Sequence, residues 1–374
     1  MHGGRMGSDR YDSATGSCGR ATEQSLEHVQ AVSHPTYKWL TRVALFLLGT
    51  TVLAACGPYP ENTFAPASDN AERIRDLFLF IIVAAAVVYV IVVGLLMYTL
   101  SRFRGRAGDP RPSPLHGNTT VEIIWTVVPV IVLILIAIPT VQTIFIEQGD
   151  APQGAVQIKA IGHMWWYEFQ YTDEKFVTAN EAHVPLGRAV NFSITSADVI
   201  HAFWLPRLQG KRDMIPLKTS SIWFTPTEAG LVEYGECTQL CGPSHAKMAF
   251  NVVVDSPTDF DAWLKQQKSP SAGSTSAADI ERGAQLFTQS GCAGCHTIEG
   301  TESKGQIGPN LTHVGSRRMI AAAQLPNTVE SLQAWIKNPA GFKPGEGQYP
   351  NTMPASALPD QDLAAIAAYL HALK

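Results

Sequence analysis

Charge is scarce in this sequence. Only 16% of its 374 residues are Asp, Glu, Lys or Arg, against roughly 25% in an ordinary soluble chain, so part of the chain belongs in a solvent other than water. An excess of basic residues is also lacking. The 28 Lys and Arg stand against 32 Asp and Glu, a net charge of −4, which argues against nucleic acid as a partner. Six cysteines in so long a chain are too few for a disulfide scaffold, which is short and cysteine-dense. With 30 Gly, 24 Pro and 45% hydrophobic residues, collagen-like and disordered classes are excluded as well. What remains is a chain long enough for two or three domains, whose six Cys and eleven His suit a metal or haem protein attached to a membrane.

Three apolar stretches define the membrane part. The first, Val43 to Cys56, follows Lys38 and Arg42; it is too short for a span of about 20 residues and has the basic flank and apolar core of an export signal. Its end, Leu53-Ala54-Ala55-Cys56, resembles a bacterial lipobox, which implies cleavage before Cys56 and lipidation of its sulfur. The alternative is an uncleaved anchor. Leu77–Ser101 and Ile123–Ile146 carry no charge, and the first spans roughly 37 Å as a helix, enough to cross a core of about 30 Å. Pro129 and Pro139 in the second are tolerated where neighbouring helices satisfy the freed carbonyls. The intervening loop holds Arg102, Arg104, Arg106 and Arg111 against Asp109, so the positive-inside rule puts it in the cytoplasm and everything after residue 147 outside. Glu122, at the start of the second span, reads either as an interfacial cap or as a carboxylate on a proton path.

From Val156 to about Val254 the pattern changes to short alternating or β-branched runs with turn residues between them, such as VQIKAIG, AVNFSIT and FNVVV. These predict a small sandwich or Greek-key barrel. Its chemistry concentrates in Cys237-Thr-Gln239-Leu-Cys241-Gly-Pro-Ser-His245-Ala-Lys-Met248, with His201 at an earlier strand. Thiolates, imidazole and thioether are soft-to-borderline ligands that select copper over hard cations. A mononuclear blue-copper site needs one Cys; the second, four residues on, points to a binuclear copper centre bridged by both sulfurs. A Cys237–Cys241 disulfide leaves the His and Met unexplained, and zinc has little use for Met248.

Residues 266–278, QQKSPSAGSTSAA, read as a flexible linker. After them comes a helical pattern and then Cys292-Ala-Gly-Cys295-His296, the c-type haem attachment motif, in which both thiols bond the haem covalently and His296 meets the iron. The second axial ligand comes from the far end of the module. Met353, in a Pro-rich loop before a last helix over Pro359–Leu370, is the first choice, with Met319 and His313 as alternatives. An iron held on both sides moves electrons and does not bind oxygen. The segment Gly308-Pro309-Asn310-Leu311 resembles the loop that packs on the proximal side of such a haem.

The pattern Cys-x-x-x-Cys-x-x-x-His-x-x-Met with an upstream Asp-Val-x-His, the two apolar spans, the Glu122-Ile-Ile-Trp-Thr-Val-Val-Pro start and the aromatic run Gly162-His-Met-Trp165-Trp-Tyr167 together resemble cytochrome c oxidase subunit II. With the haem module fused behind, the resemblance is to the caa type. It implies a two-helix transmembrane hairpin, a cupredoxin-like β-barrel of Greek-key type and an all-α class I cytochrome c domain. The corresponding boundaries are a leader and signal over 1–55, the N-terminal segment and hairpin over 56–147, the copper domain over 148–265 and the haem domain over 279–374. The resemblance further implies that Cys237 and Cys241 bridge two coppers (CuA), that His201 and His245 bind one each, and that Met248 is a weak ligand. The backbone carbonyl of Gln239 completes the set, in a position where many members have Glu. Trp165 matches the surface residue through which electrons arrive. Tyr167 replaces a commoner Trp. Asp198 and Asp213 fall at acidic positions, and Glu122 matches the entrance carboxylate of a proton channel.

The implied activity is electron transfer, from a cytochrome c or bc complex through haem c and CuA to haem a in subunit I. Oxygen reduction there is coupled to proton translocation. Subunit III, membrane lipid and a bacterial inner membrane location with both redox domains on the outer face complete the expectation. Two other readings are an electron-accepting subunit of a CuA-containing nitric oxide reductase and an exported copper-binding or copper-delivery protein. The copper ligands exclude a quinol-oxidase subunit.

Overall fold

The computed structural model describes residues 62–105, 117–271, 278–349 and 353–374, with a few isolated positions besides. Cys56, Arg106, Asp109, Arg111 and residues 272–277 lie outside them, and with them the expected lipidation site and the middle of the expected linker.

Two long helices, α1 (Asp69–Arg102) and α2 (Thr119–Glu147), form the hairpin. Each begins on a side-chain cap. The Ser68 hydroxyl accepts from the Ala71 N–H, and the Asn118 carboxamide accepts from Thr120 and Val121, satisfying donors that a helix N-terminus leaves unpaired. Large apolar side chains such as Val83, Val90, Leu95, Leu133 and Phe145 are more than half exposed, and none of the α2 side chains is buried. So much apolar surface is untenable in water and natural in lipid, where the helix satisfies its own backbone. Both helices are long enough to cross a bilayer.

The outer end of the hairpin is fastened to the β domain. Glu147 accepts from Asn70 Nδ2 at 2.7 Å, Arg73 Nε at 3.2 Å and Gln209 Nε2 at 2.8 Å. Asp69 accepts from the Thr225 N–H, and the Trp223 indole donates to the Gly149 carbonyl. The copper domain therefore stands on the membrane segment through a part-buried polar knot.

That domain is a sandwich of two five-stranded sheets, ordered β3-β2-β1-β5-β8 and β4-β10-β9-β6-β7. The first holds β1 (Val156–His163), β2 (Trp166–Tyr171), β3 (Phe176–Ala179), β5 (Val190–Ser196) and β8 (Ser220–Phe224); the second holds β4 (Glu181–Pro185), β6 (His201–Leu205), β7 (Gln209–Met214), β9 (Val232–Glu236) and β10 (Ala249–Asp255). Strands β1 and β5 alternate buried and half-buried residues, as one packed face requires. Strand β10 is buried almost throughout, with α3 (Pro257–Gln267) packed beside it. Helix α3 runs two residues into the stretch expected as linker, because its Ser256 cap, Phe260 and Trp263 tie it to the sandwich. Between the sheets, Tyr167, Phe169, Phe192, Phe203 and Phe250 are inaccessible to solvent and meet edge-on or tilted over 4.5–6.4 Å, with Phe203 also stacked on Phe250. Such pairs contribute roughly 0.5–1.5 kcal/mol each beyond their buried area.

The haem module is helical: α4 (Ala278–Gln289), α5 (Val329–Lys337), the single turn α6 (Pro339–Phe342) and α7 (Asp360–Ala372). Helices α4 and α7 cross where Gly283 lies so close that a Cβ would sit 2.1 Å from the Ala365 carbonyl oxygen. Phe287, Leu332, Ile336, Ile366 and Leu370 fill the core around that crossing.

One buried charge gives the fold a pH dependence. His183 stacks on Trp263 at 4.4 Å, with Nδ1 2.6 Å from Asp255 Oδ2 and Nε2 3.5 Å from Glu181 Oε1. Burial opposes its charge, but the two carboxylates prevail and its pKa is raised above the usual imidazole value. A raised folded-state pKa means stabilisation that is complete below about pH 6.5, the unfolded value, and lost as pH rises through the folded value. Thermal melting of the full chain in detergent should therefore fall more steeply with pH, upward from about pH 6, in the wild type than in His183→Gln. Parallel curves would contradict this.

Candidate metal centre and haem site

The copper-type residues converge at one end of the sandwich. The loop after β9 brings Cys237 Sγ within 3.7 Å of Cys241 Sγ. Both are free thiols, far outside the roughly 2.05 Å of a disulfide, so the disulfide alternative is not what the chain adopts. Cys241 Sγ lies 3.6 Å from His245 Nδ1 and 3.9 Å from Met248 Sδ. A short 3-10 turn over His245–Lys247 carries both residues back to the thiols. The Gln239 carbonyl oxygen is 3.2 Å from Cys237 Sγ, so it is the backbone of this residue that faces the sulfurs. His201 opens β6 and is fully buried. Its ligand atom and the two thiols all lie within 4.8 Å of one another.

Two details suit a metal. His201 Nε2 is 2.7 Å from Asp198 Oδ1, whereas its buried Nδ1 has no partner, a cost that a bound metal ion removes. Gly162 makes the approach possible, since a Cβ there would stand 2.8 Å from the His201 ring. Asp198 in turn accepts from the Met164 and Val199 N–H groups. Burial works to raise its pKa, but His201 and these donors hold it below the ordinary carboxylate range. Cys237 is held well below the usual thiol range, chiefly by its hydrogen bond with Cys241 and further by His201, while burial opposes. Cys241 is driven up by the same partner. The pair ionises once with ease and resists a second ionisation until a cation takes the proton's place. Thiolate, thioether and imidazole together favour copper.

The haem residues surround a cavity of about 680 Å³ lined by Cys292, Cys295, His296 and Met353, with Phe287 and Trp335 among its apolar walls. His296 Nδ1–H donates to the Pro309 carbonyl at 2.8 Å, which fixes the tautomer and leaves Nε2 as the metal-facing nitrogen. Burial, with the Arg317 charge adding to it, lowers its pKa and keeps the ring neutral. A Cβ on Gly308 would stand 2.5 Å from that ring, so the Gly308-Pro309 segment is the flat wall against which His296 rests. Met319 lines the cavity as well. The His313 ring points elsewhere, with Nε2–H donating to the Ser269 carbonyl at 3.1 Å.

Three features were not foreseen. Arg317 lines the haem cavity as a buried guanidinium; burial pushes its pKa down to about 10, Nη2 donates to the Asn310 carbonyl and Nε has no partner. A buried cation in that place fits the carboxylates of a haem. Its only sequence signal was a doubled Arg in a sparsely charged module. Trp165, expected at the surface, is 3% exposed, because the haem module covers it. Its Nε1–H donates to the Cys241 carbonyl at 2.9 Å, and Met164, Trp165, Trp166, Ala179 and Asn180 form one wall of the haem cavity. Finally, Lys343 of the haem module is buried and donates to the Trp165 carbonyl. Glu122 stands in the first turn of α2, exposed at the far end of the hairpin, and Asp213 is an exposed residue of β7 paired with Ala202.

The fold and these two sites define a membrane-anchored electron-transfer protein with a soft metal centre and a c-type haem pocket. Three family profiles match it: cytochrome c oxidase subunit II, transmembrane domain, over residues 61–143; cytochrome c oxidase subunit II, periplasmic domain, over 176–256; and cytochrome c over 280–374. Cytochrome c oxidase subunit 2 of Alkalihalophilus pseudofirmus is 34% identical over 90% of this chain and 96% of its own length. The proteins of the same name from Bacillus subtilis and Bacillus sp. (strain PS3) are 32% and 31% identical over 97% and 96% of theirs. The chain belongs to the cytochrome c oxidase subunit II family, in the form that carries a C-terminal cytochrome c domain. It is an electron-accepting subunit of a haem-copper oxidase, works in complex with subunit I, and takes CuA copper and haem c as its cofactors.

Asp198 reaches the centre only through His201. Asp198→Asn keeps the shape and loses the charge that orients the ring, so copper should be held about 10–100-fold less tightly. Chelator competition on the purified protein measures this; unchanged retention would show the Asp198 contact to be incidental.

Proposed function

We propose that this chain receives electrons at haem c from a cytochrome c or bc complex and delivers them through CuA to haem a of subunit I, where oxygen is reduced to water and protons are translocated. Copper and haem supply the one-electron chemistry. The chain's residues hold, orient and insulate them. Cys237, Cys241, His201, His245, Met248 and the Gln239 carbonyl would hold the two coppers, with the thiolates supplying most of the negative charge and Met248 the weakest donor. Cys292 and Cys295 anchor the haem, with His296 and Met353 on its iron and Arg317 facing its carboxylates.

A single observation carries the reading. Trp165 forms part of the wall of the haem cavity and donates its indole N–H to the carbonyl of Cys241, so one aromatic ring touches both sites. The electron-accepting role of this residue is thus internal, from the haem domain to the copper domain, and needs no docked donor at the indole.

The described part of the loop between α1 and α2 keeps Arg102 and Arg104 beside the membrane. We therefore put this loop in the cytoplasm and both redox domains on the outer face of a bacterial inner membrane. Cys56 is the lipidated N-terminus of the processed chain, and the stretch between α3 and α4 tethers the haem domain. Glu122, on the cytoplasmic side, is offered to subunit I as the entrance carboxylate of its proton path, and subunit III and membrane lipid complete the surroundings.

The purified chain should bind one covalent haem and two coppers that share one unpaired electron, seen by metal analysis and EPR. A signal from a single localised copper, or zinc in its place, would sink the CuA assignment. Met353→Ala should disturb the spectrum of the reduced haem and Met319→Ala should leave it intact; the reverse result would move the axial ligand.

A further inference from the structure

The haem domain meets the copper domain at two separate places, and each puts a charged side chain against the backbone of the other domain. At the copper loop, residues Phe342-Lys343-Pro344 lie against the segment that carries His245. Ser244 Oγ donates to the Pro344 carbonyl at 2.7 Å, the Lys247 ammonium donates to the Phe342 carbonyl, and the Lys343 ammonium reaches in the opposite direction to the Trp165 carbonyl. Ser244 is fully buried and Lys343 is 5% exposed. On the far side of the cavity, Glu181 of β4, 4% exposed, accepts the Arg318 N–H at 2.9 Å through Oε2, and its charge acts on the buried Arg317. Tyr349 adds an apolar contact to the core of the sandwich.

A tether supplies proximity and no orientation. Joining two domains raises their local concentration, yet a flexible stretch leaves them free to rotate, whereas electron tunnelling falls exponentially with the separation of the redox groups. Orientation needs contacts satisfied in one arrangement only. Buried Lys343 has this property, since an amine is strongly disfavoured away from water unless paired. Glu181 keeps His183 within its own strand, but any rotation of the haem domain strips it of the Arg318 N–H and strips Lys343 of the Trp165 carbonyl. Interfaces use such groups to fix register more than to add affinity.

We propose that Lys343 and Glu181 are positioning residues that lock the haem domain onto the copper domain in a single orientation, with Trp165 held between the haem cavity and the copper loop. The inference rests on the copper and haem reading given above. It adds that the indole face is closed to soluble donors, which reduce the chain through the haem domain alone.

The test uses Lys343→Met, Glu181→Ala and the double variant in the full chain, followed by hydrogen exchange and by flash reduction of the haem. In the wild type the amides of 163–166, 242–247, 317–318 and 342–345 should be protected. In the double variant they should exchange about tenfold faster or more, with β5, β10, α4 and α7 unchanged. Transfer from haem to copper should slow about tenfold or more, with the haem spectrum and the copper EPR signal unaltered. Unchanged exchange and an unchanged rate would overturn the proposal. So would loss of both spectra together with protection throughout the chain, which would make the two residues general determinants of folding. A wild-type chain without the paired-copper signal would refute the copper reading, and the exchange data would still decide the lock.

Discussion

The structure turns on two sulfurs held 3.7 Å apart in a loop nearly closed to water. Two thiolates so placed repel each other, and the chain settles the conflict by ionising one and leaving the other protonated. The arrangement is poised for a cation and poorly suited to anything else. Around it, the sandwich is built to hold the remaining donors still. Gly162 lets the His201 ring lie on β1, Asp198 fixes the far nitrogen of that ring, and the 3-10 turn returns His245 and Met248 to the sulfurs. Each of these is a second layer of support, and metal sites depend on such layers nearly as much as on the ligands.

The scarcity of charge in the chain has a structural counterpart. The hairpin shows lipid a surface that is almost wholly apolar, and the charged groups gather where it meets the copper domain. There Glu147 draws Asn70, Arg73 and Gln209 into one partly buried set of hydrogen bonds. A domain that must deliver electrons to a neighbour in the membrane gains from a stiff base, because tilt at that joint would change the distance that governs the transfer. Partly buried charge-assisted bonds are stronger than neutral ones and supply the stiffness.

Features set by local spacing were legible in the sequence. The hairpin, the Cys237–Met248 loop, the Cys292-x-x-Cys295-His296 motif and the helix before it all depend on residues near one another in the chain, and physical rules for period and ligand spacing reach that far. His201 was legible as a soft-metal ligand as well, although it lies far back in the chain, on the strand that neighbours β9 in the second sheet. Strands β3, β4 and β7 escaped, β7 because its polar run QGKRDM becomes a strand only beside partners in the folded sheet, while the strand expected to end at His201 instead begins there as β6. Trp165 was misjudged as a surface residue for a related reason. Its cover comes from a domain that begins more than a hundred residues later, and no periodicity in the strands on either side of it records that cover. Lys343, Glu181 and Arg317 belong to the same class: each reads as an ordinary surface charge until the chain is folded.

The covering of Trp165 alters the logic of the whole chain. In a subunit with an open aromatic patch, donor and copper domain must find each other in solution, and long-range charge sets the rate of that encounter. Here the donor side of the indole is occupied by a domain of the same chain, so the encounter is replaced by a standing contact and the rate depends on geometry. That change explains why the boundary is rich in short-range, directional bonds such as Ser244 to Pro344 and Glu181 to Arg318, which steer nothing at a distance and hold firmly once formed. It also moves the point of recognition. On the route proposed above, the surface that a donor reads is that of the haem domain, and the copper domain faces subunit I.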